Sequence, residues 1–246
     1  VRSSLMSNET IFVDKSFFPS EMNVGNYLTA WTQGNFGIYF INSVIYTTSV
    51  VVGIVVISSL AAYAFSRLDF PGKNFFFYIF VAAMMIPLPG SFVPLYVLMN
   101  KLGLVNTRIG YILCMINVGL SLSILLLKTF FDKMPPDLEN AARIDGCTKL
   151  GIWWHVALPL ARPAIAVIVI FNSLNVWNEY ILATLLLNDN GLMPLQRGLM
   201  FFGGVHSVDY PLLMAGLTIA ATPIIVIYLL MQKHIIKGLS SGAVVG

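Results

Sequence analysis

ENAARIDGCTKLGIWWHVALPLARP, residues 139–163, is the most polar interior stretch of a very apolar chain. Lys and Arg number 14 and Asp and Glu 11 among 246 residues. Eight of those charges nevertheless fall between Asp132 and Arg162: Asp132, Lys133, Asp137, Glu139, Arg143, Asp145, Lys149 and Arg162. Apolar runs flank the segment on both sides. A hydrophobic share of 57% lies above the roughly 45–50% of soluble domains. Five runs, at 41–65, 75–98, 109–131, 163–187 and 211–232, reach the length of about 18 residues that a bilayer crossing needs. The expected fold is all-α, a polytopic membrane helical bundle, with no room left for a soluble domain of any size.

The polar segment itself resolves into helix, turn and helix. Pro135 and Pro136 suit a helix start, where a missing N–H costs nothing, and Asp137 and Glu139 fall in the first turn, where the helix dipole favours anions. Leu138, Ala141 and Ala142, spaced i, i+3, i+4, share one side as a narrow apolar ridge. Gly146 supplies the left-handed stop. Thr148 can cap a second segment through Trp153, Trp154 and Val156, which Pro159 closes. A solvated loop serving the positive-inside rule is the plain alternative. It leaves Asp137, Glu139 and Asp145 without a purpose, because that rule counts only Lys and Arg. A short helix with an alanine ridge, charged flanks and a glycine elbow fits a groove on another protein.

The same rule orients the chain. Placing 66–74, 132–162 and the end after Gln232 in the cytoplasm gathers Arg67, Lys73, Lys128, Lys133, Arg143, Lys149, Arg162, Lys233 and Lys237 there. Arg2, Lys15, Lys101, Arg108 and Arg197 remain outside. Within the first apolar run, SSLAAYAFS (58–66) is a patch of small residues that lets helix backbones approach closely. Within the second, MMIPLPGSFVP (84–94) sets Pro87, Pro89, Gly90 and Pro94 against a continuous helix, as a kink or as a break lining a pathway. Cys114 and Cys147 have no metal or redox spacing and read as free thiols. His155, His206 and His234 are scattered over separate loops and a membrane edge, so neither a metal site nor a general base is read from them.

ENAARIDG, with VALPLARP beginning after nine further residues, resembles the EAA motif of ATP-binding cassette (ABC) importer permeases. Glu139, Ala141, Ala142 and Gly146 match its front half, and Val156, Leu158 and Pro159 its rear; Asn140 stands where many members carry a second acidic residue. NSVIYTTSVVVGIVVISSLAAYAFSRLDFPGK (42–73), VPLYVLMNKLGLVNTRIGYIL (93–113), VWNEYILATLLL (176–187) and HIIKGLSSGAVVG (234–246) are similar to segments of its carbohydrate branch, the family of the maltose-transporter G-type permeases. Val245 replaces the Lys that many members carry near the end.

The resemblance implies the type I importer permease (MetI-like) fold in the cytoplasmic (inner) cell membrane. VRSSLMSNETIF (1–12) is similar to the outer segment after the family's first span, so a sixth span is expected before Val1. Residues 1–40 are then an extracytoplasmic segment, 41–237 the multi-pass permease domain with a cytoplasmic coupling loop at 132–162, and 238–246 a cytoplasmic tail. The implied partners are a second related permease, a dimer of ATPase subunits, an extracytoplasmic solute-binding protein touched by the loop 188–211, a carbohydrate and the lipid membrane, with no nucleic acid. Glu139, Ala141, Ala142, Arg143, Asp145, Gly146, Leu158 and Pro159 would form the interface with the ATPase.

An uphill pump needs an energy source, and the sequence has no phosphate-cradling G-x-x-x-x-G-K-[ST] run and no intramembrane series of carboxylates. The chain is therefore read as a transporter subunit without enzymatic activity or a cofactor of its own, ATP being used by the partner ATPases. On the solute side, FNSLNVWNEYIL (171–182) places Asn172, Asn175, Trp177, Asn178 and Glu179 in an apolar run. A carboxylate there costs about 2.5–3.5 kcal/mol on insertion scales. Glu179 lies about 24 Å along the helix from Pro163. Amides and a carboxylate beside aromatic rings suit a hydroxyl-rich solute; the same groups could instead tie spans together. Permeases for a polyol or a glycerol phosphodiester are the near alternatives. A stand-alone channel or ion-coupled carrier is the next, and an intramembrane hydrolase the most remote, since no histidine lies within a span.

Overall fold

Every regular element among the described residues is helical. The computed structural model describes residues 1–19, 22–33, 35–86, 88–202 and 208–243, so Pro87, His206 and Val245 lie outside them, as does the side chain of His234. After a short 3-10 turn at Arg2–Leu5 come α1 (Gly25–Gln33), α2 (Phe36–Arg67), α3 (Lys73–Ala83), α4 (Leu88–Lys101) and α5 (Arg108–Asp132). The polar segment forms α6 (Pro136–Ile144), α7 (Lys149–Ile152), a π turn (Trp153–Ala157) and α8 (Leu158–Leu160). α9 (Arg162–Asn178), α10 (Ile181–Leu186), α11 (Leu195–Leu199) and α12 (Tyr210–Ala243) complete the order.

The five expected spans are not five uninterrupted rods. Among the described residues, α2 and α5 are each long and apolar enough to cross a membrane; a third crossing exists if Lys149–Leu160 and Arg162–Asn178, bent by 77°, count as one span. The run 75–98 is divided between α3 and α4, whose first residues are Leu88, Pro89 and Gly90 and which carries Pro94 inside. A proline removes a backbone donor and crowds the preceding turn, so hydrophobicity alone does not keep such a run helical. The run 163–187 is divided between α9 and α10 at Glu179 and Tyr180. The run 211–232 lies within α12, of which Tyr210–Val226 is the described apolar stretch. Helix α2 begins at Phe36, inside the segment expected to be irregular up to residue 40.

The chain gathers into two compact units, Val1–Thr47 with Tyr96–Tyr111 and Leu174–Leu229, and Thr48–Leu95 with Ile112–Ser173 and Leu230–Gly246. In the first, Phe36, Tyr39, Trp177, Leu195, Leu199 and Ala215 form a buried core. In the second, Ser58, Ser59 and Ala62 of α2 are fully buried, as the small-residue patch requires. Gly119 of α5 is the tightest point of this unit. A Cβ added there would lie 2.3 Å from Asn172 Oδ1 and 2.4 Å from Ile54 Cδ1. Only glycine lets α2, α5 and α9 come so close.

Candidate functional site

Helix α6 starts at Pro136, the first-turn position that proline's fixed φ favours, and carries Asp137 and Glu139 in its first turn. It ends at Gly146, whose φ of +79° is left-handed, and the Cys147 N–H returns to the Ala142 carbonyl. Thr148 then caps α7, its hydroxyl accepting from the Gly151 N–H at 3.2 Å. Pro159 does not close this second segment. Helical backbone continues through the π turn to Leu160, Pro159 sits in the first turn of α8 where its missing N–H costs nothing, and the sharp bend comes only before α9.

Which residues α6 presents differs from the spacing argument in two ways. The ridge of Leu138, Ala141 and Ala142 is split: Ala142 is buried, whereas Leu138 and Ala141 are exposed. The outward line is Asp137, Ala141 and Ile144, at i, i+4, i+7, with Ile144 87% exposed. Glu139, expected as part of a charged rim, is instead 5% exposed. Its Oε1 lies 3.4 Å from Arg67 Nε and its Oε2 3.7 Å from Arg143 Nη2. A carboxylate in this position must be compensated within the chain, which is why it turns inward. Arg143 and Asp145 stay exposed on the flanks. Leu158 is half-buried and Pro159 exposed.

Three groups escape the sequence reading. Ile144 was legible only from its i+3 spacing to Ala141. Leu150, 65% exposed, and Trp154, 60% exposed, continue the outward apolar surface past the elbow. Arg67, read from sequence only as a topology-setting charge, is the internal anchor: besides meeting Glu139, its Nη2 donates to the carbonyls of Phe131 and Met134, at and just beyond the end of α5. Those carbonyls have no partner in a continuing helix, so the guanidinium satisfies them. Removing either partner of such a largely buried ion pair costs about 3–5 kcal/mol.

The polar groups expected on the solute side separate by burial. Asn172, in the second unit, is buried and donates to Ser123 Oγ at 3.1 Å and to the Ile168 carbonyl at 2.9 Å. Trp177, in the first unit, is buried with its indole N–H on the Ala220 carbonyl at 3.0 Å. Both are internal ties. Glu179 caps the break between α9 and α10. Its Oε1 accepts from the Leu182 N–H at 2.6 Å, and its Oε2 from the Ala183 N–H and the Tyr111 hydroxyl, both at 3.1 Å. Asn175 and Asn178 are the exposed amides of the set, with Tyr180 exposed beside them; Asn178 also accepts from Gln196 Nε2 at 3.3 Å. The i, i+3, i+4 pattern correctly placed polar groups on α9, but only part of that face is open.

Residues 53–241 match the family described as binding-protein-dependent transport system inner membrane component. The chain belongs to this family. It is thus the membrane permease component of an ABC transport system and not an enzyme, and such a system includes an ATPase and a solute-binding protein. The chain is 34% identical over 231 residues to the arabinooligosaccharides transport system permease protein AraQ of Halalkalibacterium halodurans, covering 94% of this chain and 82% of that one. It is 33% identical over 242 residues to the diacetylchitobiose uptake system permease protein NgcG of Streptomyces coelicolor, covering 98% and 80%. Among solved structures, it resembles a chain of a bacterial ABC transporter involved in the import of the acidic polysaccharide alginate, with a TM-score of 0.81 and 27% identity over 94% of this chain and 87% of that one. The all-helical permease fold read from the sequence is therefore the fold of this family.

Proposed function

We propose that this permease imports a carbohydrate through the cytoplasmic (inner) membrane as a multi-pass subunit, alongside a second related permease, a dimer of ATPase subunits and an extracytoplasmic solute-binding protein. ATP is consumed by the ATPases. Residues 132–162 form the cytoplasmic coupling loop, with 1–40 on the opposite side of the membrane and the tail 238–246 in the cytoplasm. The observation that carries the reading is the outward face of α6: Ala141 and an almost wholly exposed Ile144 projecting between the charged flanks of Arg143 and Asp145, on a helix fixed from behind by Glu139. An apolar knob of this kind is stable only against a partner's groove, while the flanking charges set register. Gly146, Leu158 and Pro159 belong to the same interface by position, Gly146 as its elbow.

The cargo class rests on the relatives, whose named cargoes are carbohydrates, and on exposed amides beside Tyr180. Asn175 and Asn178 can exchange hydrogen bonds with hydroxyl groups, and a ring face covers a sugar's C–H face. Amides favour a neutral carbohydrate over an acidic one such as alginate. Asn172, Trp177 and Glu179 support this face from within the protein. The test is reconstitution of the permease pair with its ATPase and binding protein in liposomes. ATP-dependent uptake of a labelled neutral oligosaccharide is expected. Uptake that proceeds without the ATPase, or that prefers an anionic solute or a polyol, contradicts the reading.

A further inference from the structure

Three chain segments meet at one guanidinium. Arg67 is the last residue of α2; Phe131 and Met134 belong to the end of α5 and the linker after it; Glu139 belongs to α6. Arg67 donates to the first two through their carbonyls and faces the third as an ion pair at 3.4 Å, with side chains only 13% and 7% exposed. A second link runs beside it. Ser66 Oγ donates to Asp132 Oδ1 at 2.7 Å, and Lys128 Nζ lies 2.7 Å from Asp132 Oδ2. An aspartate at a helix C-terminus opposes the helix dipole, so its presence at the end of α5 is explained by these two partners. Compensating Glu139 alone would need one cation. Arg67 instead spreads its planar fork over acceptors on two further positions of the chain, which a lysine's single ammonium cannot do.

We infer that Arg67 is a positioning residue that makes α6, the end of α5 and the end of α2 move as one body. A push received on the outward face of α6 then reaches both long helices at once and is not absorbed by the linker 133–135. This rests on the proposed docking of α6 against an ATPase, and the experiment separates the two ideas. Cysteines for spin labels are placed at Asp69, fully exposed just after α2, and at Leu138, on the flank of α6, with Cys114 and Cys147 replaced by alanine, in the complete assembly with sister permease, ATPase and binding protein. Slowed motion of the label at 138 on adding the ATPase tests docking alone. The distance between 69 and 138 tests the rigid body: it stays the same with and without ATP in the parent protein. In Arg67→Lys it broadens and shifts on ATP addition, and the ATP consumed per solute imported rises about tenfold, a typical size for coupling between linked sites.

The reciprocal variant Arg67→Glu with Glu139→Arg restores charge balance but not the carbonyl bonds, so it keeps the raised ratio. A nucleotide-dependent distance in the parent protein overturns the inference. So does a parental ratio in Arg67→Lys, or its recovery in the reciprocal variant, which would reduce Arg67 to charge compensation. If Arg67→Lys fails to assemble, the distance in the parent protein decides.

Discussion

Two polar regions interrupt this apolar chain, and they use their polarity in opposite ways. At α6 the charge goes inward and the carbon outward: Glu139 is held by Arg67 and Arg143, while Ala141 and Ile144 face out. At the end of α9 the most polar group is again consumed internally, Glu179 capping α10, but the groups left on the outside are amides. The lesson is that a charged residue in a membrane protein is not a surface feature by default. Desolvation makes it seek a partner inside, and what remains exposed defines what the region can bind: an apolar protein groove in one place, hydroxyl-bearing solute in the other.

Substitutions can break that contrast, and the largest effect is expected at Glu139. Glu139→Lys sets a third cation beside Arg67 and Arg143 and should cost about 3–5 kcal/mol, seen as loss of the folded permease in a thermal melt; an unchanged melt would put this carboxylate on the surface. Ile144→Asp should leave the melt unchanged and weaken ATPase binding by about 2 kcal/mol, the size of an interface hot spot. Equal co-purification with the ATPase would remove Ile144 from the interface. At Gly146 an added Cβ meets no atom within 4 Å, so the penalty is purely conformational. Gly146→Val should strain the elbow by about 1–2 kcal/mol and depress uptake, with Gly146→Asn milder because asparagine tolerates this backbone region. Glu179→Ala should lower stability by about 0.5–2 kcal/mol through the lost cap, leaving the KM for uptake unaltered. The smallest effect on folding belongs to Asn175→Ala, within about 0.5 kcal/mol. Its signature is a raised KM, and an unaffected KM would detach this amide from the solute.

The helical class, the limits of α6, its glycine stop and the Thr148 cap were legible in the sequence because each depends on local chemistry within a few residues. What was not legible depended on a distant partner. Helical periodicity could group Leu138, Ala141 and Ala142, yet only the position of Arg67, 72 residues before Glu139, decides that the Glu139 side faces in. The same holds for Asn172, whose role is set by Ser123 and by the close approach at Gly119. Counting apolar residues likewise could not show that Glu179 would serve a chain break instead of riding through a continuous span.

The π turn at Trp153–Ala157 has a consequence for chain length. Such a turn holds one residue more than an α-helical turn does. Deleting His155 would let the backbone tighten into ordinary helix, keeping Thr148 and Ile152 in place while rotating everything after it by about 100°. Leu158 and Pro159 would then look in a new direction. A single-residue deletion here therefore resets the aim of the rear half of the loop without unfolding it, whereas the same deletion inside α6 would destroy the helix register that keeps Glu139 over Arg67.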